Sequence, residues 1–124
     1  MNIEEFRDYC IAKPGVTESF PFDETTLVFK VMGKMFALTD TEDDFAINLK
    51  CDPERAVSLR AQYPAVIPGY HMNKQHWNTI RIDGSMNDDF LYELVNHSYD
   101  LIVKSLTKAK KEELKEIISN EEKQ

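Results

Sequence analysis

The sequence contains few cysteines, glycines and tryptophans. Two of its 124 residues are cysteines, four are glycines and one is a tryptophan. Cys10 and Cys51 are far apart in the sequence and neither has another cysteine nearby, so we expect two reduced thiols. No apolar run approaches the roughly 18 residues of a membrane span, and the first residues lack the basic start of a signal peptide. The sequence therefore predicts a cytoplasmic protein without a membrane segment.

Basic charge is also in short supply. The sequence has 15 lysines and arginines but 22 aspartates and glutamates. The resulting net charge of −7 argues against a protein that coats nucleic acid through bulk electrostatics. Any contact with phosphate must then come from a local patch. The sequence also lacks a glycine-rich phosphate loop, a nucleophile elbow and a serine or cysteine with triad-like neighbours. We therefore expect a binding protein without enzyme activity and without a cofactor.

The first half of the chain predicts one helix followed by a β-meander. Asn2 is a candidate N-cap for an amphipathic helix, and a connector follows in which Phe20 and Phe22 are expected to face inward. From Thr25 to Lys50 apolar residues recur with period two, and Gly33 supplies a tight turn. This pattern is typical of three antiparallel strands.

The second half predicts a short helix, one further strand or more, and a long helix. Asp52 caps a helix to about Tyr63, residues 77–82 alternate as a strand, and a long apolar stripe begins after Asn87. A further turn or two of helix is expected over 114–118. This order predicts an α+β single-domain sandwich, with helices packed on one face of an antiparallel sheet. We assign 1–118 to the domain and 119–124 to a frayed tail.

Three stretches of the sequence carry a family resemblance. They are "PGVTESFPFDE" leading to "LVFKVMGKMFAL", then "PGYHMNKQHWNTI", and then "SYDLIVKSL" in the last predicted helix. Together they resemble the MmcQ/YjbR-like family of small bacterial proteins. The resemblance implies a compact fold similar to that of the frataxin-like CyaY proteins. It also implies the family's proposed role, which is DNA binding through a double-wing arrangement.

The alternation of the predicted strands yields a candidate site on the sheet face that the helices leave uncovered. That face is expected to be basic, polar and aromatic, which suits DNA or another anionic partner because bases stack on an indole while cations contact phosphates. The candidate residues are Lys30, Lys50, Lys74, Trp77 and Arg81. The alternative interpretation is that the loop over 68–74 covers the tryptophan and that the charges only solvate the sheet. The protein is expected to be a monomer.

Within "PGYHMNKQHWNTI" a structural role is the first interpretation. Asn73 and Asn78 are expected to fix the loop backbone through their amides. His71 and His76 lie five residues apart across a loop-to-strand junction, and this spacing defines no ligand geometry, so no metal site is predicted there.

Two other functions remain open from the sequence. The acidic turn over 40–44, joined by Glu18, Asp23 and Glu24, suggests a frataxin-like binder of a divalent cation such as iron, because clustered carboxylates attract hard cations. A run of acids in a hairpin turn is commonly only a solvated turn. The third hypothesis is a protein-interaction adaptor without a small ligand.

Overall fold

The computed structural model describes residues 1–69 and 72–122. Within these ranges the chain forms four helices and six strands. In chain order they are α1 (Ile3–Ile11), β1 (Val16–Ser19), β2 (Thr26–Val31), β3 (Lys34–Asp40), β4 (Ala46–Lys50), α2 (Pro53–Gln62), β5 (Val66–Pro68), β6 (Trp77–Arg81), α3 (Asp88–Ser105) and α4 (Lys108–Glu122). None of the described helices combines the length and the apolarity needed to cross a bilayer.

The first three helices begin at the caps that the sequence predicts. Asn2 forms a capping box with Glu5, in which each side chain accepts from the other residue's backbone N–H. The side chain of Asp52 accepts from the N–H of Arg55, and that of Asn87 accepts from the N–H of the residue two positions on. These bonds satisfy backbone donors that the first turn of a helix leaves unpaired.

The six strands form one antiparallel sheet in the order β1-β2-β3-β4-β6-β5. The hairpin between β2 and β3 turns through Met32 and Gly33, whose φ angles are 50° and 87°. Positive φ at both central residues matches the right-handed twist of the flanking strands. The sequence therefore located this turn correctly through its glycine.

The pairing of β2 with β3 contains one irregularity that the sequence does not reveal. Phe29 pairs with Ala37, whereas Lys30 pairs with Met35, so Phe36 is an extra residue in β3. Its ring is fully buried and packs edge-on against Tyr99 of α3, with the ring centroids 5.5 Å apart.

The buried hydroxyl of Ser98 joins α3 to the sheet at this irregularity. It donates a hydrogen bond of 2.5 Å to the carbonyl oxygen of Phe36 and accepts one of 2.9 Å from the N–H of Lys50. One side chain thus satisfies a backbone group in β3 and another in β4. The Ser98 side chain is fully buried, so removing its hydroxyl would leave both backbone groups without this partner, which is destabilising.

All four helices contribute to one apolar core on the same side of the sheet. The helix residues that do so are Phe6, Cys10, Ala56, Leu59, Leu91, Leu94, Val95, Ile102 and Leu114. From the sheet, Leu27, Phe29, Ile47 and Ile80 face this core. The predicted α+β architecture and its helix-covered face are therefore confirmed.

The structure corrects two expectations about local elements. The connector after α1 contains strand β1, and the rings of Phe20 and Phe22 face outward with 49% and 67% of their surface exposed. Where the sequence left open one strand or more before α3, the described residues form β6 and a short edge strand, β5, which ends at Pro68. Helix α4 extends from Lys108 to Glu122, so the range 119–122, expected to fray, is helical. The predicted domain limit at residue 118 stays a prediction.

We predict that Ser98→Ala lowers the free energy of unfolding by about 1–3 kcal/mol, because two buried backbone groups lose their partner. Urea-induced unfolding followed by circular dichroism measures the change. The matched control is Ser58→Ala, which removes an exposed hydroxyl from the middle of α2 and should change stability little. Equal effects of the two substitutions would show that the Ser98 hydroxyl is not the link described above.

Candidate binding face of the sheet

The face of the sheet opposite the helices, called here the helix-free face, carries its own small apolar cluster. Val28, Leu38 and Trp77 are buried there, at 0%, 8% and 8% exposure, and Met35 and Met72 pack against them. Leu38 and Trp77 belong to different strands, so the cluster binds the middle of the sheet together. This face is therefore not a bare polar surface.

The burial of Trp77 decides between the two interpretations of its role. The indole lies on the predicted face, but Met72 from the preceding loop packs against it and only 8% of the residue is exposed. A base cannot stack on a ring that is covered in this way. The structure thus favours the alternative in which the loop covers the tryptophan.

The stretch around Trp77 is also built as a structural corner. Asn73 accepts a bond from the N–H of Gln75, and its carbonyl oxygen accepts one from the N–H of Trp77 at 2.9 Å. Asn78 donates to the carbonyl oxygen of Ala56 and accepts from Arg60, so β6 is tied to α2. The expected role of fixing the loop backbone is confirmed for Asn73, whereas the amide of Asn78 joins β6 to helix α2 instead.

The close approach of Trp77 explains why position 69 in this corner is a glycine. A Cβ at this position would lie 2.8 Å from the Cβ of Trp77 and 3.0 Å from its carbonyl oxygen, closer than side chains approach. The N–H of Gly69 also donates to that carbonyl oxygen at 2.8 Å. His76 is half-buried in the same corner, whereas His71 lies outside the described residues.

The structure divides the four predicted cations between the two ends of the helix-free face. Lys50 pairs across strands with Trp77, and Lys30 pairs with Met35, so these two lysines share one end. Arg81 pairs with Ala46 at the other end, four residues along the strands, or roughly 13 Å away at ~3.3 Å per residue.

Lys74 lies beside the first of these ends. It is exposed in the turn before β6, and its carbonyl oxygen accepts a bond of 3.1 Å from Arg60 of α2. We call Lys30, Lys50 and Lys74 the lysine end. Within the described residues none of the three forms an ion pair.

The Arg81 end opens into a groove of about 1260 Å³, called here the acidic groove. The sheet contributes Leu38, Asn48 and Thr79 to its lining, and the loops contribute Phe22 and Met72. Its charged lining residues, among those the structure describes, are Asp23, Asp40, Asp43, Asp44, Asp83 and Arg81, a formal charge of −4 from five aspartates and one arginine. The face was expected to be basic, polar and aromatic, and at this end its described charged side chains are mostly acidic.

Hydrogen bonds hold two of these aspartates in the ionised form. The N–H groups of Thr25 and Thr26 donate to Asp23 and lower the pKa of its carboxyl group. Hydrogen bonds from Ser85, aided by the charge of Arg81, lower the pKa of Asp83. These two carboxylates therefore stay ionised at a lower pH than an ordinary aspartate.

The described carboxylates do not form a metal site. Within residues 1–69 and 72–122, no three histidine, cysteine, aspartate or glutamate side chains converge so as to hold an ion. Glu18, which the sequence grouped with the acidic turn, instead forms an ion pair of 2.5 Å with Arg7 of α1. Asp40 accepts a bond from the N–H of Glu42 within the turn itself. These contacts are those of a solvated acidic turn.

Cys51 and His97 are a pair that sequence reasoning missed, because they are 46 positions apart. Both line a cavity of about 10 Å³, which has room for no more than about one water molecule. Burial raises the pKa of the Cys51 thiol and lowers that of His97, whose Nε2 accepts a bond from the N–H of Asp52. A nucleophilic cysteine requires the opposite shift of its pKa.

The fold and this face define a class of small α+β protein: one antiparallel sheet, helices on one side and a groove on the other. The sequence matches the profile of the YjbR family over residues 11–101. The chain belongs to the YjbR family, which confirms the resemblance drawn from the three sequence motifs. It is 40% identical over 112 residues to YjbR of Escherichia coli strain K12, an uncharacterized protein, covering 90% of this chain and 95% of that one.

Two solved structures share the fold. The crystal structure of Deinococcus radiodurans DR2400, with a DUF419 domain, matches with a TM-score of 0.86 and 43% identity, over 91% of this chain and 87% of that one. The crystal structure of a Pseudomonas syringae protein matches with a TM-score of 0.71 and 29% identity, over 82% of this chain and 98% of that one.

Proposed function

We propose that this protein is a non-catalytic binding module, monomeric and cytoplasmic, whose ligand occupies the acidic groove. The observation that carries the proposal is the groove, a concave volume of about 1260 Å³ between the sheet and its loops. Ligands favour concave sites that combine an apolar lining with a few polar groups. The two free, buried cysteines agree with a reducing compartment.

Two observations support a role in binding rather than catalysis. Cys10 and Cys51 are buried, and burial raises the pKa of both thiols, that of Cys10 to about 12. The groove itself is lined by carboxylates, one guanidinium, amide and hydroxyl groups and apolar side chains, without a cysteine, histidine or lysine among its described lining residues. General-base and nucleophilic catalysis often depend on those three side chains.

The direct test is a fragment screen by nuclear magnetic resonance on the full chain. Fragments should shift the amide signals of Leu38, Asn48 and Thr79, which line the groove. Ala46→Trp fills the groove from β4 and should abolish these shifts. The matched control Val57→Trp changes an exposed position on α2 and should preserve them.

Two results would contradict the groove as the binding site. One is a set of shifts spread evenly over the surface of the protein. The other is a set of groove shifts that persists unchanged in Ala46→Trp.

A second candidate function is DNA binding at the lysine end. It is favoured by the three lysines there, which have no carboxylate partner within the described residues and therefore keep their charge free for phosphates. In this alternative the contact is electrostatic and Trp77, which is buried, contributes no stacking. Affinity should then fall steeply with salt.

Lys30→Ala combined with Lys50→Ala tests this second candidate. If DNA binds at the lysine end, the double variant should lose roughly tenfold or more in affinity at low salt and show a shallower salt dependence. Fluorescence anisotropy of a labelled short duplex measures both. Lys104→Ala, an exposed lysine on α3, is the control. Equal affinity of the double variant and the unchanged protein, or absence of binding at low salt, would eliminate DNA at this end.

A further inference from the structure

We infer that the ligand of the acidic groove is a peptide segment that combines basic and apolar side chains. This inference rests on the proposed function, because it names the partner of the same groove. It also specifies which kind of protein segment would bind if the chain is a protein-interaction adaptor. The groove's charge, its apolar lining and its size each point to such a segment.

The charge of the groove selects a cationic partner. Five aspartates and one arginine line it within the described part of the chain, and their formal charge of −4 is more than half of the −7 carried by the whole chain. A concave site lined mainly by one sign of charge attracts ligands of the opposite sign and repels phosphates. Asp43 and Asp44 are exposed and form no hydrogen bond or ion pair with other described residues, so both carboxylates are free for a ligand.

The apolar part of the lining favours a partner that carries apolar side chains as well as positive charge. Phe22 leaves 67% of its surface exposed at the rim, and it lies along the same groove as Leu38 and Met72. A partner that covered this ring would remove apolar surface from water, which is favourable. A polyamine or a bare metal ion would leave the ring of Phe22 in water, whereas a leucine or phenylalanine side chain would cover it.

The size of the groove favours a peptide over a small molecule. Pockets for drug-sized ligands span roughly 300–1,000 Å³, and the groove, at about 1260 Å³, exceeds that range. An extended peptide alternates its side chains between two sides. A segment that alternates basic and apolar residues could therefore place its apolar side chains on Phe22 and Leu38 while its basic ones reach the aspartates at the rim.

Isothermal titration calorimetry of the full chain tests the inference with a capped seven-residue peptide that alternates lysine with leucine. We expect saturable binding that weakens as salt is raised. Two peptides of equal length are controls: one with glutamate in place of lysine and one of lysine alone. Both should bind at least tenfold more weakly. Equal or tighter binding of either control would overturn the inference.

Two variants test the location of the peptide. Asp43→Asn with Asp44→Asn should weaken binding roughly two- to thirtyfold, since each exposed ion pair contributes modestly. Glu116→Gln with Glu121→Gln changes the net charge equally from exposed positions on α4 and should have no effect. Equal effects of the two double variants would overturn the inference.

The variant Arg81→Gln distinguishes a cationic ligand from an anionic one by the direction of the change in affinity. Removing the single cation among the described lining residues should raise the affinity for the cationic peptide by a fewfold, whereas it should lower the affinity for an anionic ligand held by that guanidinium. A loss of peptide affinity in Arg81→Gln would overturn the inference.

The outcomes separate this inference from the proposed function. If fragments occupy the groove but the lysine–leucine peptide does not bind, the peptide inference is wrong and the groove remains the binding site. If neither binds, or if binding survives Ala46→Trp, the groove itself is wrong. Light scattering measures the mass of the protein without peptide. If the unchanged protein is a dimer and Ala46→Trp is a monomer, the groove binds a second copy of the chain, which would also overturn the inference.

Discussion

The two-sided character of this protein depends on the packing of all four helices onto one side of the sheet, and the hydroxyl of Ser98 is the buried polar contact within that packing. It bonds to backbone groups of β3 and β4 at once, where Phe36 is inserted as an extra residue in the sheet. Because an unpaired buried backbone group is destabilising, the hydroxyl fixes α3 against one side of the sheet. The adjacent Tyr99 extends the link, since its hydroxyl donates to the carbonyl oxygen of Pro14 at 2.7 Å. With the helices held on that side, the other side remains for a partner.

The helix-free face divides into a closed end and an open end. At the closed end Trp77, Leu38 and Val28 pack together under the loop residue Met72, and the lysines flank this cluster. At the open end the strands meet the loops around Phe22 and Asp83, and the aspartates collect there. The two ends present opposite charges to a partner, so one face could attract two chemically different ligands. The groove is the end with the concave shape and the exposed apolar surface that binding requires.

Much of the fold could be predicted from the sequence because it depends on local rules. Period-two alternation assigned Phe29, Ile47 and Ile80 to the core, and side-chain caps located the first three helix starts. The extra residue in β3 could not be predicted, because "KMFAL" retains an apolar pattern whether or not it contains a bulge. Strand β1 was missed because it lies in a short segment at the sheet edge, where a single apolar residue, Val16, gives too little pattern.

The site was less predictable because it depends on how separate loops meet. Alternation placed Lys30, Lys50, Trp77 and Arg81 on the correct face, but it carried no information about Met72 covering the indole. The sequence analysis had already grouped Asp23 with the acidic turn over 40–44, and Asp23, Asp40, Asp43 and Asp44 line the same groove. Alternation along the strands could not reveal that this turn and Asp83 border the sheet face around Arg81, and for that reason a basic face was expected there.

The most direct test of the account is a methyl-labelled nuclear magnetic resonance experiment on the full chain with the lysine–leucine peptide. The account predicts intermolecular nuclear Overhauser effects from the peptide leucines to the methyl groups of Leu38, Ile67 and Met72, which line the groove. Effects to Ile11 or Val57 instead, which are exposed on the helix side, would contradict it. So would the absence of any intermolecular effect at millimolar peptide.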